Sequence, residues 1–325
     1  MGERSGAEMP LVLSAAAVRA SLPYDDCIAA VRSAMIAHSA GTTRHLLRSF
    51  ISMGEGRTFA QMPAALSVDG WFGAKLVSVF ADPDEPSHRA HRGLVVLFEG
   101  DRGEPVCIAD AAAVTLIRTA AASALASDAL ARANARVLAI LGTGHQAVSH
   151  IRALTLVRPF ERIVIWGRNP DRARALADEM AAETGCRIDP VNDPAAAVRQ
   201  ADVVCTVTSS ASPVLHGAWL SPGTHVNLVG SSAPGPVEVD NGVVVDSRFF
   251  VDCREHVIAH GAEFLRAREA GLVNDQHIVA EIGEVLSGTK PGRGGDEEIT
   301  VYKSLGHAVQ DLAAVAYLYR KLRPH

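Results

Sequence analysis

No two cysteines in this chain are spaced as a CxxC pair, and the five present (Cys27, Cys107, Cys186, Cys205, Cys253) are odd in number and scattered. That pattern argues against a disulfide framework or a cysteine-rich zinc module and predicts reduced thiols in a core. No apolar run approaches the ~20 residues that cross a bilayer, and Met1-Gly2-Glu3-Arg4 opens no hydrophobic leader. A cytoplasmic protein that does not engage a membrane is the expectation. An excess of basic charge is also missing: the formal charge is -5 and the pI about 6.2. Nucleic acid needs a positive footprint, so it is not an expected partner. Lysine is scarcer still, with only Lys75, Lys290, Lys303 and Lys321 among 31 basic residues.

What is present is globular: 325 residues, 48% hydrophobic and 21% charged, enough for two domains. The clearest pattern begins at Val137–Leu141, a short apolar run of the kind buried on both faces of a parallel sheet. A glycine-rich turn follows, then helix-like 146–156, strand-like 163–166, helix-like 172–184, and further strands at 203–207 and 225–229. This alternation means βαβ units, an α/β fold with a doubly wound Rossmann domain. Before it lie a helix at 24–39, strands at 73–80 and 94–99, and an alanine-rich helix at 116–132. After it come a strand at 299–302 and a helix at 306–322, which we expect to return to the first domain, a discontinuous α+β domain. The boundaries so read are 1–128, 129–298 and 299–325, with 292–298 as a flexible connector.

The turn Gly142-Thr143-Gly144-His145-Gln146-Ala147 fits the dinucleotide fingerprint, with alanine at its third small position. Gly142 allows the tight turn, Gly144 admits the pyrophosphate, Ala147 keeps helix and strand close, and the helix N-terminus attracts the phosphates. Strand before and helix after give the motif its confirming context. NAD binders usually carry an acid at the end of the second strand. Here Arg168-Asn169 occupy that place, and arginine suits a 2′-phosphate. NADP(H) is therefore favoured, with NAD(H) open should Asp171 reach the ribose instead.

Lys75 lies in the apolar strand Phe72-Gly73-Ala74-Lys75-Leu76-Val77. If buried, it could bind a carboxylate, donate a proton or form a Schiff base; on an edge strand it would merely face water. Arg118 raises the same question, and Arg44 sits among loop residues. His256 and His260, beside Glu255 and Glu263, could hold a metal, but no completing ligand lies near in sequence and an exposed helix face is the simpler reading. No metal is expected.

Taken in order, Met62-Pro63-Ala64, Gly73-Ala74-Lys75, Arg118-Thr119-Ala120-Ala121, the glycine turn, Asn227-Leu228-Val229-Gly230-Ser231, Thr300-Val301-Tyr302-Lys303-Ser304-Leu305-Gly306 and Asp311 resemble the ornithine cyclodeaminase/mu-crystallin family over about residues 20–322. The resemblance implies that Arg44, Lys75 and Arg118 bind a substrate carboxylate, with Lys75 and Arg118 catalytic. Three cations without an obvious acid partner would need such an anion. It also implies cofactor contacts from His91, Thr119, His145, Gln146, Arg168, Asn169, Thr206, Thr208, Asn227, Val229 and Ser304, and a homodimer formed through the first domain. In place of the aspartate of cyclodeaminases this chain has Ser232, a poor base, here assigned to the substrate site. The expectation is thus a reductase of small cyclic ketimines such as Δ1-pyrroline-2-carboxylate. The alternatives are an amino-acid dehydrogenase, a cyclodeaminase, or a non-enzymatic NADPH-binding protein.

Overall fold

The computed structural model describes residues 9–66, 70–81 and 89–323, with the backbone alone at 89–91. It contains two compact units, Met1–Arg118 with Ala308–His325, and Thr119–His307.

The first unit runs β1 (Leu11–Leu13), α1 (Ala15–Ser21), α2 (Tyr24–Ser39), β2 (Arg44–His45), β3 (Ser49–Ser52), β4 (Thr58–Leu66), β5 (Trp71–Ala81), β6 (Arg89–Phe98) and β7 (Pro105–Asp110). Next, α3 (Ala111–Leu130) leads out of it. Its sheet has the order β1-β7-β6-β5-β4-β2, with β3 paired to β4. Alternation does the sorting: Ala60, Met62 and Ala64 of β4 and Val95 and Leu97 of β6 turn inward, as does Lys75 of β5. Lys75 pairs in register with Met62 on one side and Val95 on the other, so its strand is central, not an edge.

The second unit continues with β8 (Val137–Leu141), α4 (His145–Thr155), β9 (Arg162–Trp166), α5 (Pro170–Thr184), β10 (Arg187–Val191), α6 (Pro194–Val198), β11 (Val203–Thr206) and β12 (His225–Leu228). Then come α7 (Asn241–Val245), β13 (Arg248–Val251), α8 (Arg254–His260), α9 (Ala262–Glu269), β14 (Ile278–Glu281), α10 (Ile282–Leu286) and β15 (Thr300–Lys303). The strands form one parallel sheet, ordered β10-β9-β8-β11-β12-β15-β13-β14. β8 and the middle of β9 are apolar and buried on both faces, as strands covered by helices on both sides are. The strand order reverses between β8 and β11, so the loops leaving their carboxyl ends diverge and open a crevice there. The last helix, α11 (Ala308–Leu322), belongs to the first unit and packs on β4, β5, β6 and α2.

Three sequence expectations need correction. The units divide inside α3 and after His307, not after residues 128 and 298, because β15 hydrogen-bonds between β12 and β13 as part of the second sheet. The segment 292–298 is fastened rather than flexible: Arg293 donates to Leu130 O at 2.7 Å and Thr300 Oγ1 at 2.9 Å, and Glu298 accepts from the Gly294 amide at 2.6 Å. One helix, α3, is after all long and apolar enough to cross a membrane, but 78% of that window is buried and it serves as core.

Candidate functional site

In the first unit, three elements distant in sequence bring charges together. Lys75 comes from β5, Arg118 from α3 and Asp311 from α11, at 6%, 4% and 0% exposure. Asp311 Oδ1 accepts from Lys75 Nζ at 3.3 Å and from Arg118 Nε at 2.9 Å. Lys75 also donates to Thr115 Oγ1 at 2.5 Å, and Arg118 Nη1 to Gln310 Oε1 at 2.9 Å. The cations therefore do have an acid partner, Asp311, which the sequence reading treated only as a marker of resemblance. One carboxylate, Asp311, faces the two cations Lys75 and Arg118. The cluster keeps an excess of positive charge that a substrate carboxylate would balance. Burial, against the pull of Asp311 and aided by Arg118 and Arg48, brings the Lys75 ammonium down to about 8. Arg44 is exposed on β2, and its guanidinium donates to the Gly41 and Thr43 carbonyls, both at 2.8 Å.

The second unit carries the expected turn. Gly142 has φ 134°, and a Cβ there would lie 2.7 Å from the Val207 carbonyl oxygen, so only glycine serves. A Cβ at Gly144 would meet nothing within 4 Å, which leaves its backbone open to a ligand at the N-cap of α4. Ala147 is fully buried against the sheet, and His145 is exposed. Four of the residues assigned to the cofactor have a buried side-chain oxygen with no hydrogen-bond partner among the described residues: Thr119 Oγ1, Gln146 Oε1, Asn227 Oδ1 and Ser304 Oγ. Such orphans are costly unless a ligand satisfies them, so the donor set fits a bound dinucleotide. Arg168 is exposed beyond β9, while Asn169 caps α5, its Oδ1 accepting from the Asp171 and Arg172 amides at 2.9 and 3.1 Å. Asp171 pairs with Arg174 at 3.1 Å. Val229 is buried after β12, and the His91 side chain lies outside the described residues. Asn227 is held through its amide nitrogen, which donates to Ser127 Oγ at 2.8 Å and Cys205 Sγ at 3.4 Å, while its Oδ1 is among the orphans.

Glu238 went unnoticed in the sequence because a lone glutamate in Pro236-Val237-Glu238 carries no motif. It is fully buried and ties together the chain leaving β11 and the chain leaving β12. Its carboxylate accepts from Thr206 Oγ1 (2.8 Å), the Thr208 amide (2.6 Å), Thr208 Oγ1 (2.7 Å) and the Gly230 amide (2.6 Å). Burial raises its pKa, and these donors oppose the rise. In Glu238→Gln one oxygen becomes an NH2 facing a donor, with a penalty of about 1–3 kcal/mol. Nicotinamide cofactor should then bind roughly tenfold or more weakly by fluorescence titration, with the fold retained by circular dichroism; unchanged affinity would separate Glu238 from the cofactor loops.

Beside it, Lys303 of β15 is fully buried, donating to Ser231 O and Oγ, both at 2.6 Å, and pairing with Glu263 Oε2 at 2.9 Å. Burial alone would push Glu263 up; Lys303 and the Ser231 hydroxyl outweigh it and hold the carboxyl below its usual range. Ser232, half-buried, follows directly on this network. Glu263 is thus not part of a solvated helix face with His256, and His256 itself is only 2% exposed, against expectation.

A sequence model of the ornithine cyclodeaminase/mu-crystallin family matches residues 8–325. The chain is 32% identical over 313 residues to Δ1-pyrroline-2-carboxylate reductase of Bacillus cereus, covering 96% of each. It is 33% identical over 274 residues to ketimine reductase mu-crystallin of Mus musculus, covering 84% of this chain and 83% of that one. Among solved structures, Thermococcus litoralis Δ1-pyrroline-2-carboxylate reductase with NADH and L-proline superposes with a TM-score of 0.91 at 29% identity, covering 96% and 97%.

Proposed function

Because the chain belongs to the ornithine cyclodeaminase/mu-crystallin family, we propose that it is an NAD(P)H-dependent reductase of small cyclic ketimines bearing a carboxylate, of the Δ1-pyrroline-2-carboxylate or Δ1-piperideine-2-carboxylate type. The observation that carries the proposal is the buried Lys75–Arg118 pair, whose positive charge a single Asp311 leaves incompletely balanced. Arg118 holds the substrate carboxylate with its directional fork, and Lys75 adds a point charge. The nicotinamide cofactor, when bound, supplies the hydride to the imine carbon. The Lys75 ammonium, with its lowered pKa, provides the proton that the ring nitrogen gains. Thr119, Gln146 and Ser304 hold the cofactor through their orphaned oxygens, and the α4 N-terminus takes its pyrophosphate.

NADPH is the cofactor this reading favours over NADH, since Arg168 is exposed where an acid would stand. Arg168→Ala should weaken NADPH by at least roughly tenfold, about 1.4 kcal/mol, and leave NADH almost unchanged. Equal losses for both would refute the preference. A homodimer formed through the first unit accords with the large apolar side chains exposed there, among them Leu46, Ile51, Phe72 and Leu94. The free cysteines among the described residues accord with a cytoplasmic location.

An amino-acid dehydrogenase is the second reading, and the same anion site would serve it. Following NADPH absorbance with cyclic imines, amino acids and ornithine separates the two. Cyclic imines should be consumed fastest, and ornithine with catalytic NAD should give no proline above background, as Ser232 stands where cyclodeaminases have their aspartate. Multiple turnovers of ornithine to proline would overturn the reading, and so would an amino acid outpacing every imine.

A further inference from the structure

We propose that Cys253, His256 and His307 form a site for a zinc-class divalent ion within the second unit. The segments that carry them are fixed by the sheet. β13 and β15 are neighbours with Val251 opposite Lys303, so the chain leaving each strand runs on side by side at the carboxyl edge. Cys253 stands at the N-cap of α8, His256 follows on its first turn, and His307 ends the segment leaving β15. All three are buried, at 1%, 2% and 0% exposure. One ligand atom from each lies within 4.8 Å of the others, and the two imidazole rings sit 4.8 Å apart between centroids, 25° from parallel. Zinc–sulfur and zinc–nitrogen bonds of ~2.3 and ~2.0 Å at tetrahedral angles put ligand atoms about 3.5 Å apart. Side-chain rotation of about an ångström would close that difference.

A second device holds the carriers together. Asp252 is fully buried, and its carboxylate accepts from the Cys253 amide at 2.8 Å and from the Leu305 and Gly306 amides at 2.8 and 2.6 Å. It clamps the Cys253 segment to the one that presents His307 through their backbone amides, fixing the chain from which both side chains project. Charge points the same way. A Glu281 carboxylate oxygen lies within 4.8 Å of the Cys253 sulfur, and the Asp252 carboxylate stands on the adjoining residue, so negative charge beside the cluster favours a cation there. Two imidazoles and a thiolate are the borderline-soft ligand set that selects zinc over magnesium or calcium, and three protein ligands leave a fourth position for water or a carboxylate.

The test uses the full chain without a histidine tag, stripped by chelator and titrated with Co2+ as an optical probe. One equivalent should bind, with a thiolate-to-cobalt charge-transfer band and the ligand-field bands of a four-coordinate ion. Zn2+ should displace it and raise Tm. Cys253→Ser should lose the charge-transfer band, His307→Leu should weaken binding, and Asp252→Asn should lower affinity about 10- to 100-fold. No charge-transfer band in the wild-type protein, or one that survives Cys253→Ser, overturns the proposal even if a variant fails to fold. The readout is metal binding, so the result is independent of which imine or amino acid the enzyme turns over.

Discussion

Lys75→Met should lower kcat/KM for cyclic imines by more than about a hundredfold, on the order of 3 kcal/mol, while leaving a folded protein that still binds cofactor. Methionine has nearly the length of lysine but neither its charge nor its proton. The stability side of the result follows from the same burial. Lys75 has a folded-state pKa near 8 against an ordinary 10.5, so between those values the unfolded chain binds more protons than the folded one. The cost of holding a buried ammonium is present in full below pH 8 and is relieved as pH rises toward 10.5. At neutral pH the variant should therefore melt at or above the wild-type Tm, and the wild type should gain on it through that window. Activity should move oppositely, since the ammonium is lost above about pH 8. Turnover of every active imine at the wild-type rate by Lys75→Met would leave Lys75 a structural residue.

Asp311→Ala should be the most destabilising single change in the first unit, at about 3–5 kcal/mol by urea denaturation. It strands Lys75 and Arg118 together at 6% and 4% exposure with no counter-charge. That is a large part of the ~5–15 kcal/mol typical of a folded domain. Asp311→Asn keeps an acceptor for Arg118 Nε and should cost less. Adding Lys75→Met to Asp311→Ala should restore part of the loss, because the two changes share one electrostatic contact and cannot add. A loss under ~1 kcal/mol, the scale of an exposed pair, would mean that water already neutralises the cluster.

The Rossmann half was legible because its signals are local. Val137–Leu141 and the turn after it announce strand, glycine bend and helix within about a dozen residues, and α2 and the α5 region fall where apolar spacing puts them. β15 was assigned to the wrong unit because Thr300-Val301-Tyr302-Lys303 reads as a strand but not as a strand of any particular sheet. In the site, Lys75 and Arg118 stood out as charges in apolar company. Asp311 and Glu238 did not, since each owes its role to partners far away in sequence: Asp311 lies 236 residues from Lys75, and Glu238 32 residues from Thr206.

The interruption of the first unit by the second bears on how the protein is made. Residues 119–307 leave the ribosome as an unbroken stretch, whereas β4, β5 and β6 must wait for α11 to cover them. At about 5–20 residues per second the wait amounts to roughly ten to forty seconds. Throughout it Lys75 and Arg118 have no Asp311, and the apolar face of the first sheet has no lid. A stalled or truncated nascent chain would expose a sticky sheet edged with unneutralised charge, a natural client for a chaperone. Pulse-labelled chains ending before Ala308 should accordingly be cleared by protease faster than chains that include α11.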